Sequence, residues 1–174
     1  MLKKGYAETS LTDLAASLQM SVSHLLYYYP NKEAVLLELA RGLHEHVLVG
    51  VVAHRDEPPA ERIHLLVDNM FVAVSPEALG LLREINALSA HSVALRADLE
   101  EFAGTVIAYL EDLFAKTPRQ PGMSAQDAAQ LAAALWMGLM INMGFTNRQG
   151  NREARRLFRQ SLLSLGRLDA VSAP

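Results

Sequence analysis

GYAETSLTDLAASLQMSVSHLLYYYPNKEAVL, residues 5–36, decides how the rest of this chain is read. Thr9 or Ser10 is placed to cap a helix over Leu11 to Leu18, where Leu11, Leu14 and Ala15 recur at helical spacing. Ser21 caps a second helix, Val22 to Tyr28, and Pro30 stops it. Asn31 caps a third helix with Lys32 and Glu33 in its first turn. Two short helices around a sharp corner, followed by a longer one, form the layout of a helix-turn-helix. The second helix of that motif lies in the DNA major groove.

Leu11, Leu14, Ala15, Met20, Leu25 and Tyr29 can close a small core, with Ala15 small where two helices cross. The second helix then turns Val22, Ser23, His24, Tyr27 and Tyr28 outward. Hydroxyls and an imidazole can bond base edges or phosphates, and Val22 can touch a thymine methyl. Lys32 stands at the start of the third helix, where a phosphate also meets the positive end of the helix dipole. With Ser10, Thr12 and Ser21, these residues make up the expected DNA-binding set.

The stretch resembles the DNA-reading head of the tetracycline-repressor (TetR) family. The resemblance is carried by Gly5-Tyr6, Thr9-Ser10, Asp13-Leu14-Ala15, Met20-Ser21, Leu25, Tyr28-Tyr29 and Asn31-Lys32-Glu33-Ala34-Val35. Three positions depart from the family pattern. Gln19 stands where the family has the glycine of the turn, so a slightly remodelled corner is expected there. Leu26 stands where the family has a phosphate-contacting tyrosine, a part that Tyr27 can take over. Only Met1 to Lys4 precede Gly5-Tyr6, where the family has a complete amphipathic helix. Further residues upstream of Met1 are therefore expected in the working protein, supplying the missing wall of the Leu11, Leu14, Leu25 and Tyr29 cluster.

Composition narrows the alternatives. With 51% hydrophobic and 20% charged residues, the 174-residue chain is globular rather than disordered. It has no cysteine, so disulfides, thiolate metal sites and cysteine nucleophiles are excluded. His44 and His46 sit two apart, and no His-Glu-x-x-His spacing occurs. No metal, cofactor or catalytic residue is expected, and the protein is read as no enzyme. The net charge of −3 argues against a protein that coats nucleic acid, but not against a local DNA contact. The N-terminus does not read as a signal peptide, and the apolar run Leu131 to Ile141 is too short to span a bilayer. No membrane association is expected, and a cytoplasmic location is.

Beyond the motif the chain reads as all-α. The third helix runs to about Ala53, and further helices follow over Ala60 to Val74, Pro76 to Ala90 and Ser92 to Lys116. After the loop Thr117 to Met123, Ser124 and Asp127 form a capping box for a helix reaching Phe145. Asn147 to Asn151 reads as a turn, and Arg152 to Leu168 as the last helix. The expected division is a helix-turn-helix domain over 1–45, N-terminally truncated, and a helical ligand-binding and dimerisation domain over 46–174.

In that second part, Leu131 to Ile141 is apolar all round, the pattern of a helix buried on every side. Ala154, Phe158 and Leu162 share one face of the last helix, and Arg152, Arg155, Arg156 and Arg159 lie on another that reads as solvated. The last two helices are expected to form a homodimer interface, as the resemblance also implies. A two-fold dimer would bind double-stranded DNA at a pseudo-palindromic operator with half-sites about 34–36 Å apart, or a multiple of that. A mostly apolar small-molecule effector would be lined by Met70, Phe71, Leu82, Phe114, Trp136 and Met140, with Asn69, Asn86, Ser89, His91 and Asn142 as polar contacts. The function so implied is that of a ligand-responsive transcriptional regulator, a repressor released from its operator by the effector. The other reading is a helical small-molecule or protein-binding module without DNA-binding activity.

Overall fold

A computed structural model of the chain describes residues 5–72, 76–142 and 148–168. These hold nine α-helices and no strand: α1 (Gly5–Glu8), α2 (Leu11–Ser17), α3 (Val22–Tyr28), α4 (Lys32–Val52), α5 (Pro59–Val72), α6 (Pro76–Ser89), α7 (Val93–Ala115), α8 (Ala125–Asn142) and α9 (Arg148–Leu165). The all-α expectation holds. The chain divides into two compact units, Met1–Glu45 with Ser75–Glu100, and His46–Val74 with Glu101–Pro174.

The first unit has two apolar clusters. One joins Leu14, Ala15, Leu25 and Val35, with Leu11, Met20, Val22 and Tyr29 packed around them, and so fastens α2 and α3 onto the start of α4. The other joins Leu36 and Ala40 of α4 to Leu81 and Ile85 of α6 and Leu95 of α7. Burying a leucine of this kind stabilises by about 1.5–3 kcal/mol. These contacts hold a segment some forty residues downstream against the opening helices, by roughly that scale per side chain. Ser92 caps α7 by accepting from the Leu95 amide at 3.1 Å, and its hydroxyl donates to Glu33 on α4. His44 Nδ1 lies 2.9 Å from Asp98 Oδ2, and Arg41 pairs with the other oxygen of the same carboxylate at 3.4 Å.

The second unit is held by α5, α9, α8 and the latter part of α7. Phe71 of α5 and Phe158 of α9 meet with ring centres 5.7 Å apart, and Phe102 of α7 meets Trp136 of α8 at 6.2 Å. Ala154, Phe158 and Leu162 are fully buried within the single chain, as α9 packs on both α5 and α8. Arg62 is fully buried, pairs with Asp112 at 2.9 Å, donates to the Tyr109 hydroxyl and lies over that ring. Ser124 and Asp127 form the expected capping box at the start of α8, with Ser124 Oγ accepting from the Asp127 amide at 3.0 Å.

Several expectations are corrected. Residues Arg148 to Asn151 are the first turn of α9 rather than a loop. Asn151 Nδ2 donates to the Phe71 carbonyl, and Arg155 and Arg159 both pair with Asp68, contacts to α5 that hold this end of the helix in place. The arginine face is therefore only partly solvated: Arg152 is exposed, while Arg155 and Arg159 are half-buried. Within the single chain α8 is not buried on every side, since Leu131 is 51% exposed and Ala134 is exposed as well.

Candidate nucleic-acid interface

The site is built from the helix ends upward. Ser10, not Thr9, caps α2: its hydroxyl accepts from the Asp13 amide at 3.0 Å, while Asp13 accepts from the Ser10 amide at 2.9 Å. The Ser10 hydroxyl proton is itself given to Asp13. Thr9 is buried and donates to the Gly5 carbonyl. At the far end of α2 the Met20 amide bonds the Ala15 carbonyl and the Gln19 amide the Ala16 carbonyl, the paired bonds of a Schellman turn. That turn needs a left-handed residue at its centre, and Gln19 takes it up at φ 55°. The corner is thus kept, not remodelled, despite the missing glycine.

Ser21 accepts from the His24 amide at 3.1 Å and starts α3. Leu25 is completely buried, which turns the opposite side of the helix to solvent. There Ser23, His24, Leu26, Tyr27 and Tyr28 are exposed, and Tyr27 reaches 82%. Tyr28 is braced on two sides, by His24 with ring centres 5.4 Å apart and by the edge of Tyr27 at 5.1 Å. Val22 is half-buried against the α2–α3 core. Of the other expected contacts, Thr12 and Ser21 are exposed. Lys32 is half-buried: its ammonium donates to the Tyr6 carbonyl at 2.7 Å and lies 4.2 Å from the centre of the Tyr6 ring.

A clamp at the front of the head has no local signal in the sequence. Glu84, on α6, accepts from the Tyr6 amide at 2.6 Å. Gly5 sits at φ 80°, a conformation that calls for glycine, and a Cβ there would come within 2.6 Å of the Glu84 carboxylate, which would have to move aside. Burial, and then the charge of Glu33, hold the Tyr6 phenol above its ordinary pKa.

The expected effector residues fall in both compact units. Leu82, Asn86, Ser89 and His91 belong to the first, and Asn69, Met70, Phe71, Phe114 and Trp136 to the second. The side chains of Met140 and Asn142 lie outside the described residues. His91 lines a small open cleft of about 90 Å³ with Tyr6, Glu33, Leu88, Ser92 and Leu95. Ser89 donates to the Asn86 carbonyl within its own helix. In the second unit Asn69 donates to the Gly50 carbonyl, and Met70, Phe71, Phe114 and Trp136 are buried. Trp136 Nε1 and Arg62 Nη2 are buried without a hydrogen-bond partner among the described residues. Arg62 carries no signal in the sequence, where it is one more arginine in an amphipathic helix. Among the described residues no cluster of His, Asp and Glu could hold a metal ion, and no helix is long and apolar enough to cross a membrane.

Residues 1–39 match the family model of bacterial regulatory proteins, tetR family. No curated protein matches the chain. Among solved structures, a TetR transcription regulator from Haloarcula marismortui superposes with a TM-score of 0.80 at 16% identity, over 94% of this chain and 90% of that one. GusR from Salmonella enterica gives 0.71 at 21% identity, over 95% and 88%. The reduced form of NemR from E. coli gives 0.67 at 18% identity, over 91% and 89%. Residues 1–39 thus match the tetR-family model, and the chain as a whole has the fold of TetR regulators.

Proposed function

We propose that the protein is a cytoplasmic transcriptional repressor, released from its operator by a small molecule. The observation that carries this is the outward face of α3, held between a Schellman corner and a buried Leu25 within a segment that matches the tetR-family head. Residues 1–45 contact the DNA through Ser10, Thr12, Ser21, Val22, Ser23, His24, Tyr27, Tyr28 and Lys32. Ser10 does so with a hydroxyl already shared with Asp13, and Lys32 with an ammonium shared with Tyr6.

The working form is a homodimer through α8 and α9. The faces available differ from those the periodicity suggests, because Ala154, Phe158 and Leu162 are consumed inside the chain. What remains is the stripe Leu131, Ala134, Leu135 and Gly138 on α8, at spacings of one helical face, and on α9 the half-buried Leu157 and Ser161. A Cβ at Gly138 would meet no atom within 4 Å, which leaves room for a second helix to approach.

The effector is mostly apolar and is held by residues of the second unit, with the Trp136 indole N–H as a donor that an oxygen of the ligand would satisfy. Its binding shifts α4, whose first half carries the head, and changes the separation of the two recognition helices. A mobility-shift assay with intergenic duplexes from the source genome tests the reading. Retardation that a cell extract or a small-molecule library reverses supports it. No retardation of any duplex by the dimer counts against it.

A further inference from the structure

The chemistry of the α3 face says which DNA it reads, an inference that rests on the DNA-binding function proposed for the head. Residues 5–31 contain Glu8 and Asp13 and no lysine or arginine. The next cation along the chain, Lys32, is engaged with the Tyr6 carbonyl and ring. Two-pronged recognition of guanine needs arginine or lysine, and of adenine needs asparagine or glutamine. The recognition helix, VSHLLYY, has none of the four. What it offers instead is apolar surface. Leu26 is 40% exposed and Tyr27 82%; Tyr27 stands opposite Leu25 and Leu26 on the flank of the helix. On the floor of the major groove the thymine C5 methyl is the apolar group to be met.

We infer that α3 reads thymine methyls, with Tyr27 meeting a base rather than the phosphate the resemblance suggested: each operator half-site is A·T-rich and seats at least one thymine methyl against Leu26 and Tyr27. Tyr28, wedged between His24 and Tyr27, sets the ring of Tyr27 in place for that contact. Ser23 and His24 add single hydrogen bonds, which position the helix but discriminate weakly.

The test uses the full chain as a dimer. Duplexes selected from a random pool identify the half-site, and binding is then followed by fluorescence anisotropy. Each thymine is replaced in turn by deoxyuridine, which removes only the methyl. The expected result is a loss of about fourfold at one or more thymines of each half-site, the scale of one methyl removed from water. Leu26→Ala and Tyr27→Ala should bind the thymine and uracil duplexes alike. Both side chains are exposed, so these variants keep their fold, which circular dichroism checks. A selected site that tolerates uracil everywhere overturns this inference and leaves the DNA-binding function standing. Failure to select any duplex overturns both.

Discussion

Gln19 occupies the left-handed region at φ 55° in the corner between α2 and α3, and its side chain is exposed. A side chain with a Cβ is strained there by roughly 1 kcal/mol, and nothing in its surroundings requires glutamine. Gln19→Gly is expected to raise stability by up to about 1 kcal/mol, the relief of strain outweighing the extra freedom of the unfolded chain. Urea unfolding with an unchanged m-value checks it; a lower midpoint would show that the strain is not there. His44 is the second residue with a defined consequence. Burial lowers its pKa, working against the charge and hydrogen bond of Asp98, which raise it. The folded protein therefore binds fewer protons at this position than the unfolded chain does. Its contribution is constant at higher pH and declines as pH falls through the unfolded value of about 6.5, levelling off only below the folded value. Arg41 faces the same Asp98 carboxylate. Unfolding midpoints at about pH 7.5 and 5.5, on either side of that unfolded value, should differ more for the native protein than for His44→Gln. Equal differences would show that His44 does not carry the effect.

Among the elements, α5 depends on a charge placed where the hydrophobic pattern expects none. Arg62 has no exposed surface, and its charge is met by Asp112, which is 38% exposed, and by the face of Tyr109. Burial works against the charge of Asp112, yet its hydrogen bonds with Arg62 and Lys116, with their charges, bring its pKa below the ordinary carboxylate value. Arg62→Ala removes both the pair and the packing and should cost about 3–5 kcal/mol. Arg62→Met fills most of the space and should cost far less, a contrast that thermal unfolding reads directly. If the two variants lose the same stability, the ion pair rather than the packing dominates. The helices themselves differ in how far they are readable. The α3 bounds, Val22–Tyr28, follow from Ser21 and Pro30 alone, because capping and chain-breaking act within a few residues. The start of α9 does not. Asn-Arg-Gln-Gly-Asn has the composition of a turn, and contacts from Asn151 and Arg155 to α5, about eighty residues away in sequence, help hold it as a helix.

At the scale of the whole molecule, the stripe around Leu131 is the feature with most at stake. Leu131→Glu lies on a surface that is 51% exposed in the single chain, so the fold should survive within about 0.5 kcal/mol. The proposed dimer should not survive it. Sedimentation velocity is expected to show a dimer for the native chain and a monomer for the variant, with operator affinity lost in parallel. A variant that stays dimeric would move the interface elsewhere.

By itself, the sequence determined the helices from α2 onward, most of their ends and the helix-turn-helix layout. Those rest on interactions that reach one or two turns: caps, apolar periodicity, and prolines that cannot continue a helix. Only the tertiary structure decided that Ser75–Glu100 joins the head, that α9 spends its apolar face inside the chain, and that Glu84 closes over Gly5. Each of these pairs residues far apart in the sequence. Periodicity shows that a helix has an apolar face but not which partner covers it, since burial free energy depends on area removed from water and not on the identity of the neighbour.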